Sequence, residues 1–319
     1  MVVYKDFNSI KKDEDTVLTI GTFDGLHIGH KQVIETVVRK ATSLNCRSLL
    51  ITFEPHPRTV LLNGNTHPAK AEKEPKVELL TSFEDKASLI NELGIDNLLV
   101  IEFTREFAET SSQDFFVNYI YNKIGVKEII LGYDHKFGKN RGGDNNLLNS
   151  LGKEYNFSVN TLSPVSVDGE VVSSTRIRHL LKEGSIKRAN QFLDREYSLK
   201  GIVAHGDMRG RRIGFPTANI EFSQSELLVP PKGVYAVKVI KDNMTYTGVM
   251  NIGTRPSFTS GEEIISEVHI LNFNEEIYGN SLEIKFVDRI RDEMKFNGAE
   301  ELMGQIVKDI EYTRSLLNN

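Results

Sequence analysis

The chain has 319 residues, a formal net charge of −5, a hydrophobic fraction of 39% and a charged fraction of 26%. These values indicate one large or two ordinary folded domains, with enough apolar side chains for a core. The mild acidity and the absence of a lysine-arginine block argue against nucleic acid as a partner. Cys46 is the only cysteine, which excludes intrachain disulfides and cysteine-based zinc sites.

The segment "MVVYKDFNSIKKDED" is polar after three residues and does not resemble a signal peptide. No apolar run approaches the roughly 20 residues that a membrane-spanning helix needs. The sequence therefore predicts no membrane association and a reducing cytoplasmic location. No feature of it specifies an oligomeric state.

The first part of the chain, residues 1–184, alternates short apolar runs with helical patterns. The predicted strands are "TVLTIGTF", "SLLITF", "NLLVIEF", "EIILGYD" and "FSVNTL". The predicted helices are "KQVIETVVRKATSL", "SFEDKASLINELG", "SQDFFVNYIYNKIG" and a shorter one near Asn145–Tyr155. Ser82, with Asp85 three residues later, marks the start of the second helix. This alternation predicts an α/β domain whose parallel sheet is covered on both faces.

The second part, residues 185–319, changes rhythm after "TRIRHLLKEGSIKRANQFLDREY", which predicts two short bridging helices. From Leu199 onward the runs are strand-like, and "GVYAVKVI" and "TYTGVMNIG" flank "KDN" as in a hairpin. "SEVHILNF" and "SLEIKFVDRI" continue the pattern, and a final helix carries an apolar stripe of Leu302, Ile306 and Ile310. We therefore predict a small antiparallel barrel with a C-terminal helix. The stretch "AKAEKEPK" is predicted to be an exposed loop.

Three polar loops directly follow predicted strands and so should share one rim of the sheet: Gly21–His30, Phe53–Arg58 and Gly132–Gly143. "GTFDGLHIGH" combines glycines with two histidines where a strand turns into a helix. Glycines let backbone N–H groups approach a phosphate, and a helix N-terminus attracts an anion. The alternatives are a tight turn with surface histidines, or a metal site that His27 and His30 begin and a third ligand completes.

The stretch "SSTRIR" places hydroxyls and two arginines at the start of a helix. Arg176 and Arg178 in a first turn oppose the helix dipole, a conflict that a bound phosphate would remove. The alternative is an ordinary serine N-cap followed by a basic turn.

Each of two other loops can be interpreted either as a ligand-binding loop or as a purely structural one. In "FEPHPR", two prolines stiffen the loop around His56 beside an aromatic side chain, so that it could hold a flat ring. Equally, Pro55 and Pro57 could only end the strand. "GYDHKFGKNRGG" carries acidic, basic and imidazole groups, and its alternative is a mobile surface loop.

The stretch "HGDMRGRRIGFPTANI" repeats glycine every four residues with arginines between, which suits a polyphosphate or simply a basic loop. "PTAN" then supplies Thr217 and Asn219, hard oxygen donors appropriate to Mg²⁺. Glu267 in "SEVHILNF" is a carboxylate that could accept a hydroxyl proton. A lone glutamate on a half-buried strand is more often a surface residue.

Taken together, these segments resemble the bacterial bifunctional riboflavin kinase/FAD synthetases. The motifs that carry the resemblance are "GTFDGLHIGH", "FEPHPR", "GYDHKFG", "SSTRIR", "GFPTANI", "GVYAV", "NIGTRPSF", "EVHILNF" and "RDEMKF", in that order. The resemblance implies an α/β Rossmann-like nucleotidyltransferase domain that transfers AMP from ATP to FMN, making FAD. It also implies a riboflavin kinase barrel that makes FMN from riboflavin and ATP.

The resemblance also implies roles for residues of the first domain. His27 and His30 would stabilise the ATP phosphates as the FMN phosphate attacks the α-phosphorus. The remaining ATP-binding residues would be Gly21, Phe23, Asp24, Asp134, Ser174, Thr175 and Arg178. The flavin site would be bordered by Phe53, Pro55 and His56.

In the barrel, the resemblance implies that Thr217 and Asn219 coordinate Mg²⁺ and that Glu267 is the base on the flavin 5′-hydroxyl. The loop over ATP would contain Gly206, Arg209, Gly210 and Gly214, and Arg291 would lie near the flavin entrance. Two alternatives remain beside this one. Either only one half is active, or the chain is a flavin-binding sensor without turnover.

Overall fold

The computed structural model describes residues 1–62, 78–133, 135–139, 142–206, 210, 213–257 and 261–317. The chain forms two compact units, Met1–Ser174 and Thr175–Asn319. The stretch "AKAEKEPK", predicted to be an exposed loop, lies outside the described residues.

The first unit is built on a six-stranded sheet in the order β1-β4-β3-β2-β5-β6. Its strands are β1 (Val2–Tyr4), β2 (Thr16–Ile20), β3 (Arg47–Glu54), β4 (Asn97–Glu102), β5 (Glu128–Leu131) and β6 (Ser158–Thr161). All neighbouring strands pair in parallel. The chain runs from β2 through β3 to β4 and then returns to the other side of β2. The carboxyl end of β2 is therefore the switch point, where α/β sheets bind ligands.

Helices connect these strands, and a short two-stranded ribbon follows β6. The helices are α1 (Ile28–Leu44), α2 (Pro57–Leu62), α3 (Phe83–Glu92), α4 (Arg105–Ala108), α5 (Ser112–Asp114), a π-helix (Phe115–Ile124) that continues it, and α6 (Asn145–Tyr155). The ribbon pairs β7 (Ser166–Val167) with β8 (Glu170–Val171). As predicted, Ser82 caps α3, because its hydroxyl accepts a hydrogen bond from the backbone N–H of Asp85 at 3.0 Å.

The strand residues alternate between two separate apolar cores. Leu18, Leu49 and Leu99 pack on one face against the π-helix and α6. On the opposite face, Val17 and Leu50 pack against α1 and α3. Successive strand residues point to opposite faces, so nearly continuous apolar strands signal a sheet buried on both sides. The prediction of a parallel sheet covered on both faces is confirmed.

The second unit is a closed six-stranded barrel in the order β10-β13-β12-β11-β14-β9, with antiparallel neighbours. Its elements are α7 (Ser174–Lys182, whose first residue belongs to the first unit), α8 (Ile186–Leu193), β9 (Tyr197–Ala204), β10 (Ala218–Phe222), β11 (Gly233–Lys241), β12 (Met244–Ser257), β13 (Gly261–Ile270), β14 (Ser281–Arg291) and α9 (Ala299–Leu317). The predicted "KDN" hairpin is present. Asp242 and Asn243 have φ values of 50° and 64°, as a tight two-residue turn requires.

Helix α9 covers part of the outer face of the barrel. Ile310, on the predicted apolar stripe, is buried against Val234, Val249 and Leu271, and Ile306 packs against the same cluster. Val234 and Val249 therefore point outward from the barrel, toward the helix. The antiparallel barrel with a terminal helix is confirmed.

Several local predictions differ from the structure. Strand β2 ends at Ile20, so Gly21 and Phe23 belong to the loop, and α1 begins at Ile28, three residues earlier than predicted. The Phe53–Arg58 segment is not simply a loop, because β3 runs to Glu54 and Pro57 opens α2. Proline is common at the first position of a helix, where no hydrogen bond from its nitrogen is needed. Strand β1 and helix α4 were not predicted.

Candidate functional sites

The loop after β2 has an unusual backbone. Phe23, Gly25 and Leu26 all have positive φ values, of 49°, 82° and 40°. Large L-residues in this region cost on the order of 1–3 kcal/mol each and concentrate at functional sites. Phe23 and Leu26 are nevertheless buried, which shows that packing holds them there. The result is a compact turn that leads directly into α1 at the switch point.

His27 and His30 lie together at the N-terminus of α1. Their rings stack with centroids 3.7 Å apart, and the Phe23 ring meets His30 edge-on at 5.2 Å. The backbone N–H of His30 donates to Nδ1 of His27 at 3.4 Å, so His27 is the N-cap of the helix. An accepting Nδ1 carries no hydrogen, which leaves the ring hydrogen of a neutral His27 on Nε2. That N–H, the helix dipole and the first-turn amides all favour an anion here.

Asp24 ties this loop to two distant parts of the first unit. Its Oδ1 accepts a hydrogen bond from the backbone N–H of Leu80 at 2.9 Å. Its backbone carbonyl accepts one from the Ser174 hydroxyl at 2.8 Å. The structure therefore brings Asp24 and Ser174 together. Thr175 and Arg178 follow Ser174 in α7 and belong to the second unit.

Lys86 is a buried cation beside the same loop. Its side chain is only 6% exposed, and Nζ lies 3.4 Å from the Thr22 carbonyl and 3.9 Å from Oε2 of Glu54. Burial lowers the pKa of the Lys86 ammonium, while the charges of Glu54 and Asp24 oppose that shift to a smaller extent. Lys86 therefore links the ends of β2 and β3 through their backbone and carboxylate oxygens.

The predicted flavin-side residues lie at the end of β3. The Phe53 ring packs edge-on against Phe103 with centroids 5.7 Å apart, as part of a larger aromatic cluster. His56 is buried, and its Nδ1 accepts a hydrogen bond from the backbone N–H of Arg58 at 3.1 Å. Pro55 lies between them after a cis peptide bond. His56 thus caps α2 in the way that His27 caps α1.

The described part of the Gly132–Gly143 loop is anchored rather than loose. The backbones of Phe137 and Gly143 exchange two hydrogen bonds of 2.9 and 3.1 Å. A Cβ at Gly138 would lie 2.6 Å from Cα of Ser112, so only glycine permits this approach. Asp134 lies outside the described residues, as does Arg141.

In the barrel, the pairing register aligns the predicted kinase residues. Asn219 on β10 is opposite Glu267 on β13, which is opposite Asn251 on β12. Asn251 is in turn opposite Val234 on β11, and Val234 is opposite Arg291 on β14. Directly opposed residues share a face. Because Val234 packs against α9, this row lies on the outer face of the barrel.

Glycines of the preceding loop approach the two predicted metal-binding side chains. A Cβ at Gly206 would lie 2.6 Å from Cγ of Asn219, and a Cβ at Gly210 would lie 3.2 Å from Oγ1 of Thr217. Thr217 is exposed and Asn219 half-buried. This space and the oxygen donors beside it fit a hydrated Mg²⁺ that shares phosphate oxygens. Gly214 has a φ of 89°, and Arg209 lies outside the described residues.

Arg291 has a protein partner that the sequence did not reveal. Its guanidinium pairs with both carboxylate oxygens of Asp309 on α9, with Nη2 2.8 Å from Oδ2. Gln305 donates to the same carboxylate at 2.9 Å. The Asp309 side chain is 3% exposed, so this pair fixes α9 to the end of β14.

Three further polar residues at these sites were not singled out from the sequence: Lys86, Asn251 and His269. Strand periodicity carried a signal for one of them, because His269 is two residues after Glu267 and must share its face. Asn251 stands in the "NIGTRPSF" motif. Lys86 had no comparable signal, since its burial depends on α3 packing beside β2.

Neither a membrane span nor a carboxylate-imidazole metal centre was found within the described ranges. No helix there is both long and apolar enough to cross a membrane. No three His, Cys, Asp or Glu side chains of that part of the chain are grouped as a metal site.

The first unit is a doubly wound α/β fold in which the N-terminus of α1 suits an anion. The second unit is a barrel on which Asn219, Glu267 and Asn251 are aligned. Together they indicate an enzyme with two units that acts on phosphate compounds. Residues 9–176 match the family model described as FAD synthetase, and residues 193–317 match the one described as riboflavin kinase. The chain belongs to the family of bifunctional riboflavin kinase/FMN adenylyltransferases.

Individual relatives agree with this assignment. The bifunctional riboflavin kinase/FMN adenylyltransferase of Listeria monocytogenes is 38% identical, over 95% of this chain and 93% of the relative. The protein of the same description from Bacillus subtilis is also 38% identical, over 94% and 92%. A crystal structure described as a macrolide-efflux protein from Streptococcus pneumoniae has a TM-score of 0.86 and 30% identity, covering 98% of each chain. Its likeness supports the fold along the whole chain.

Proposed function

We propose that this chain phosphorylates riboflavin to FMN with ATP in the barrel and adenylylates FMN to FAD with ATP in the α/β unit. The observation that carries the proposal is the register that aligns Asn219 and Glu267 beside Thr217, in a chain that also has a histidine pair at a switch-point helix. Both halves carry residues that we propose for their reactions. Neither the one-active-half alternative nor the sensor alternative has a specific observation in its favour.

In the α/β unit, an oxygen of the FMN phosphate attacks the α-phosphorus of ATP, and the bond from that phosphorus to the bridging oxygen breaks. Pyrophosphate leaves with the electron pair. His27 and His30 donate N–H groups to the oxygens that gain charge, and the N-terminus of α1 adds its dipole. No covalent enzyme intermediate is needed, because positioning and charge stabilisation supply the catalysis.

The other residues of this site bind or position the substrates. Asp24 acts through the loop it anchors, which carries Gly21 and Phe23. The residues proposed to contact the triphosphate or the rest of ATP are Ser174, Thr175, Arg178 and Asp134. Phe53, Pro55 and His56 are proposed to bound the flavin, and the short turn from β3 into α2 supports this role by fixing their backbone.

In the barrel, Glu267 accepts the proton of the riboflavin 5′-hydroxyl as its oxygen attacks the γ-phosphorus of ATP, and ADP leaves. Thr217 and Asn219 would hold Mg²⁺, which supplies charge neutralisation at the phosphates. Gly206, Arg209, Gly210 and Gly214 form the loop proposed to cover ATP. Arg291 contributes on the flavin side by holding α9 through Asp309.

We further propose that the protein works in the cytoplasm on these small molecules, without nucleic acid or membrane as a partner. We keep residue 184 as the proposed functional end of the first domain, because α7 carries Thr175 and Arg178, which are proposed to serve the adenylyl site.

The experiment is a time course with riboflavin, ATP and Mg²⁺, in which riboflavin, FMN and FAD are separated by chromatography. We expect FMN first and FAD after it. Glu267→Ala should abolish FMN formation from riboflavin while leaving FAD formation from supplied FMN. His30→Ala should do the reverse.

Matched controls are Glu221→Ala, an exposed glutamate on β10, and Glu35→Ala, an exposed glutamate on α1. Both should behave as the unchanged chain. A folded Glu267 or His30 variant that loses both activities would contradict the two-site assignment. FMN without FAD, even from supplied FMN, would leave only the barrel active.

A further inference from the structure

His269 lies on the same outer face of the barrel as the proposed base. It follows Glu267 by two residues on β13, and strand side chains at this spacing share a face. It is opposite Val249 on β12, whose side chain packs against α9 outside the barrel. His269 is therefore on the strand that carries Glu267 and faces the loop that leads into Thr217.

The imidazole makes a direct hydrogen bond to that loop. Nδ1 of His269 is 2.7 Å from the carbonyl oxygen of Pro216, and the Phe215 ring meets the imidazole at 83° with centroids 5.7 Å apart. A carbonyl oxygen only accepts hydrogen bonds, so Nδ1 must carry the hydrogen. The bonded carbonyl belongs to the peptide unit that joins Pro216 to Thr217.

The Pro216–Thr217 segment needs such an anchor. Strand β10 begins at Ala218, so Thr217 precedes the paired residues. Pro216 has no N–H and cannot donate a backbone hydrogen bond itself. The bond from His269 thus ties the peptide that carries Thr217 to the strand that carries Glu267.

We propose that His269 is a positioning residue for riboflavin phosphorylation, holding the Pro216 carbonyl so that the Thr217 hydroxyl keeps its place beside Asn219 and Glu267. This inference rests on the function proposed for those three residues. His269 contacts the loop and not the reacting atoms. Mg²⁺ demands nearly ideal octahedral geometry, so a displaced Thr217 oxygen should weaken the use of Mg²⁺ and ATP more than the binding of riboflavin.

Three substitutions separate this role from general support of the fold. His269→Leu removes the donor, His269→Asn keeps an amide N–H close to the position of Nδ1, and His269→Gln moves it one bond further out. Loss of groups that orient metal ligands typically costs about 10- to 100-fold in metal affinity or activity. We expect a loss of that size in kinase kcat/KM for ATP and in apparent Mg²⁺ affinity for Leu and Gln, with rescue by Asn. The KM for riboflavin should be unchanged in all three.

FAD formation from FMN, measured on the same full-length variants, reports the α/β unit and should not change. Chemical denaturation followed by circular dichroism reports whether the barrel of each variant is folded. Full activity of His269→Leu would overturn the inference, and so would equal impairment of the Asn and Gln variants. Thr217→Ala is measured in parallel. If it keeps kinase activity, the proposed function of Thr217 is wrong. If it loses activity while His269→Leu does not, only the positioning role is wrong. Should the Leu variant fail to fold, the Asn and Gln pair still decides.

Discussion

Gly206 sets how closely the loop backbone can approach the proposed metal ligand Asn219. A Cβ at this position would lie 2.6 Å from Cγ of Asn219, closer than side-chain carbons approach, so the amide would have to move. We predict that Gly206→Ala lowers riboflavin phosphorylation by about 100-fold, the order that follows a misplacement of about 1 Å. FAD formation from FMN should be unchanged.

The matched control for this change is Gly298→Ala, where an added Cβ meets no atom within 4 Å. Both variants are assayed with riboflavin, ATP and Mg²⁺. Equal kinase activity in the two variants would show that the fit between Gly206 and Asn219 has no functional importance.

Lys86 makes the stability of the first unit depend on pH. Burial lowers the pKa of its ammonium in the folded chain, so the unfolded chain binds more protons in the interval between the two pKa values. The free energy of unfolding therefore rises with pH across that interval and is lower beneath it. Lys86→Met lacks this contribution, and we predict that the unchanged chain gains stability relative to the variant as the pH rises toward about 10, near the ordinary pKa of lysine.

Urea unfolding of both chains, followed by circular dichroism, measures this difference and cancels the other titrating groups. Tyrosine fluorescence is a second probe, because the chain has no tryptophan. A difference that stays constant with pH would mean that the ammonium is not desolvated in the folded chain.

At the residue scale, the sequence predicted local backbone features that are set by residues close in the chain. The Ser82 cap and the strand-to-helix turn in "GTFDGLHIGH" could be predicted from the sequence because capping and turns depend on neighbouring residues. The contacts of three other residues could not be predicted in this way: Asp24, Lys86 and Arg291. Tertiary packing brings each of them to its partner, which is Leu80, Thr22 and Asp309 respectively. The pattern of a single sequence does not specify that packing.

A buried ion pair between Arg291 and Asp309 links helix α9 to β14, beside an exposed hydrogen bond from the Tyr312 hydroxyl to Asp288. Removing one partner of a buried pair leaves an uncompensated charge and costs about 3 kcal/mol or more. We predict that Asp309→Ala, which strands the Arg291 guanidinium, lowers the free energy of unfolding of the barrel by about 3 kcal/mol. Gln305→Ala, which removes one hydrogen bond to the same carboxylate, should cost only about 1 kcal/mol.

Chemical denaturation with a far-ultraviolet probe measures both variants. The double variant Arg291→Leu/Asp309→Leu should recover much of the loss, because it removes both charges. If Asp309→Ala were no more costly than Gln305→Ala, the pair would not be what attaches the helix.

At the element scale, the periodicities identified most of the strands and helices, but two features needed more than periodicity. The segment Phe115–Ile124 has a clear helical pattern, yet it forms a π-helix that ends with the backbone N–H of Gly125 bonded to the carbonyl of Ile120. Strand β1 is three residues long and is defined by its pairing with β4. The pairing of β1 is decided by its neighbour rather than by local propensity.

The boundary between the two units of the chain falls at one position by packing and at another by proposed function. The compact units divide after Ser174, whereas the matched family regions end at residue 176 and resume at residue 193. The sequence predicted the division at 184 from a change of rhythm, and that position stays a prediction. The region in dispute is α7, because it carries Thr175 and Arg178, which are proposed to serve the adenylyl site.

Fragments decide which division matters for activity. We predict that residues 1–184 alone convert FMN to FAD and that residues 185–319 alone convert riboflavin to FMN. Within the 1–184 fragment, Arg178→Met and Thr175→Val should each lower FAD formation by about 100-fold, the order for loss of one donor to developing charge. Lys182→Met, in the last turn of the same helix, is the control.

If the two substitutions in α7 had no more effect than Lys182→Met, Thr175 and Arg178 would not belong to the adenylyl site. If 185–319 were unfolded while 175–319 folded and made FMN, the division would belong after Ser174, where the compact units separate. Circular dichroism of each fragment distinguishes a misfolded piece from a folded piece that lacks a ligand group. Activity of both predicted fragments would instead mean that the kinase does not need α7 and that the functional division lies at residue 184.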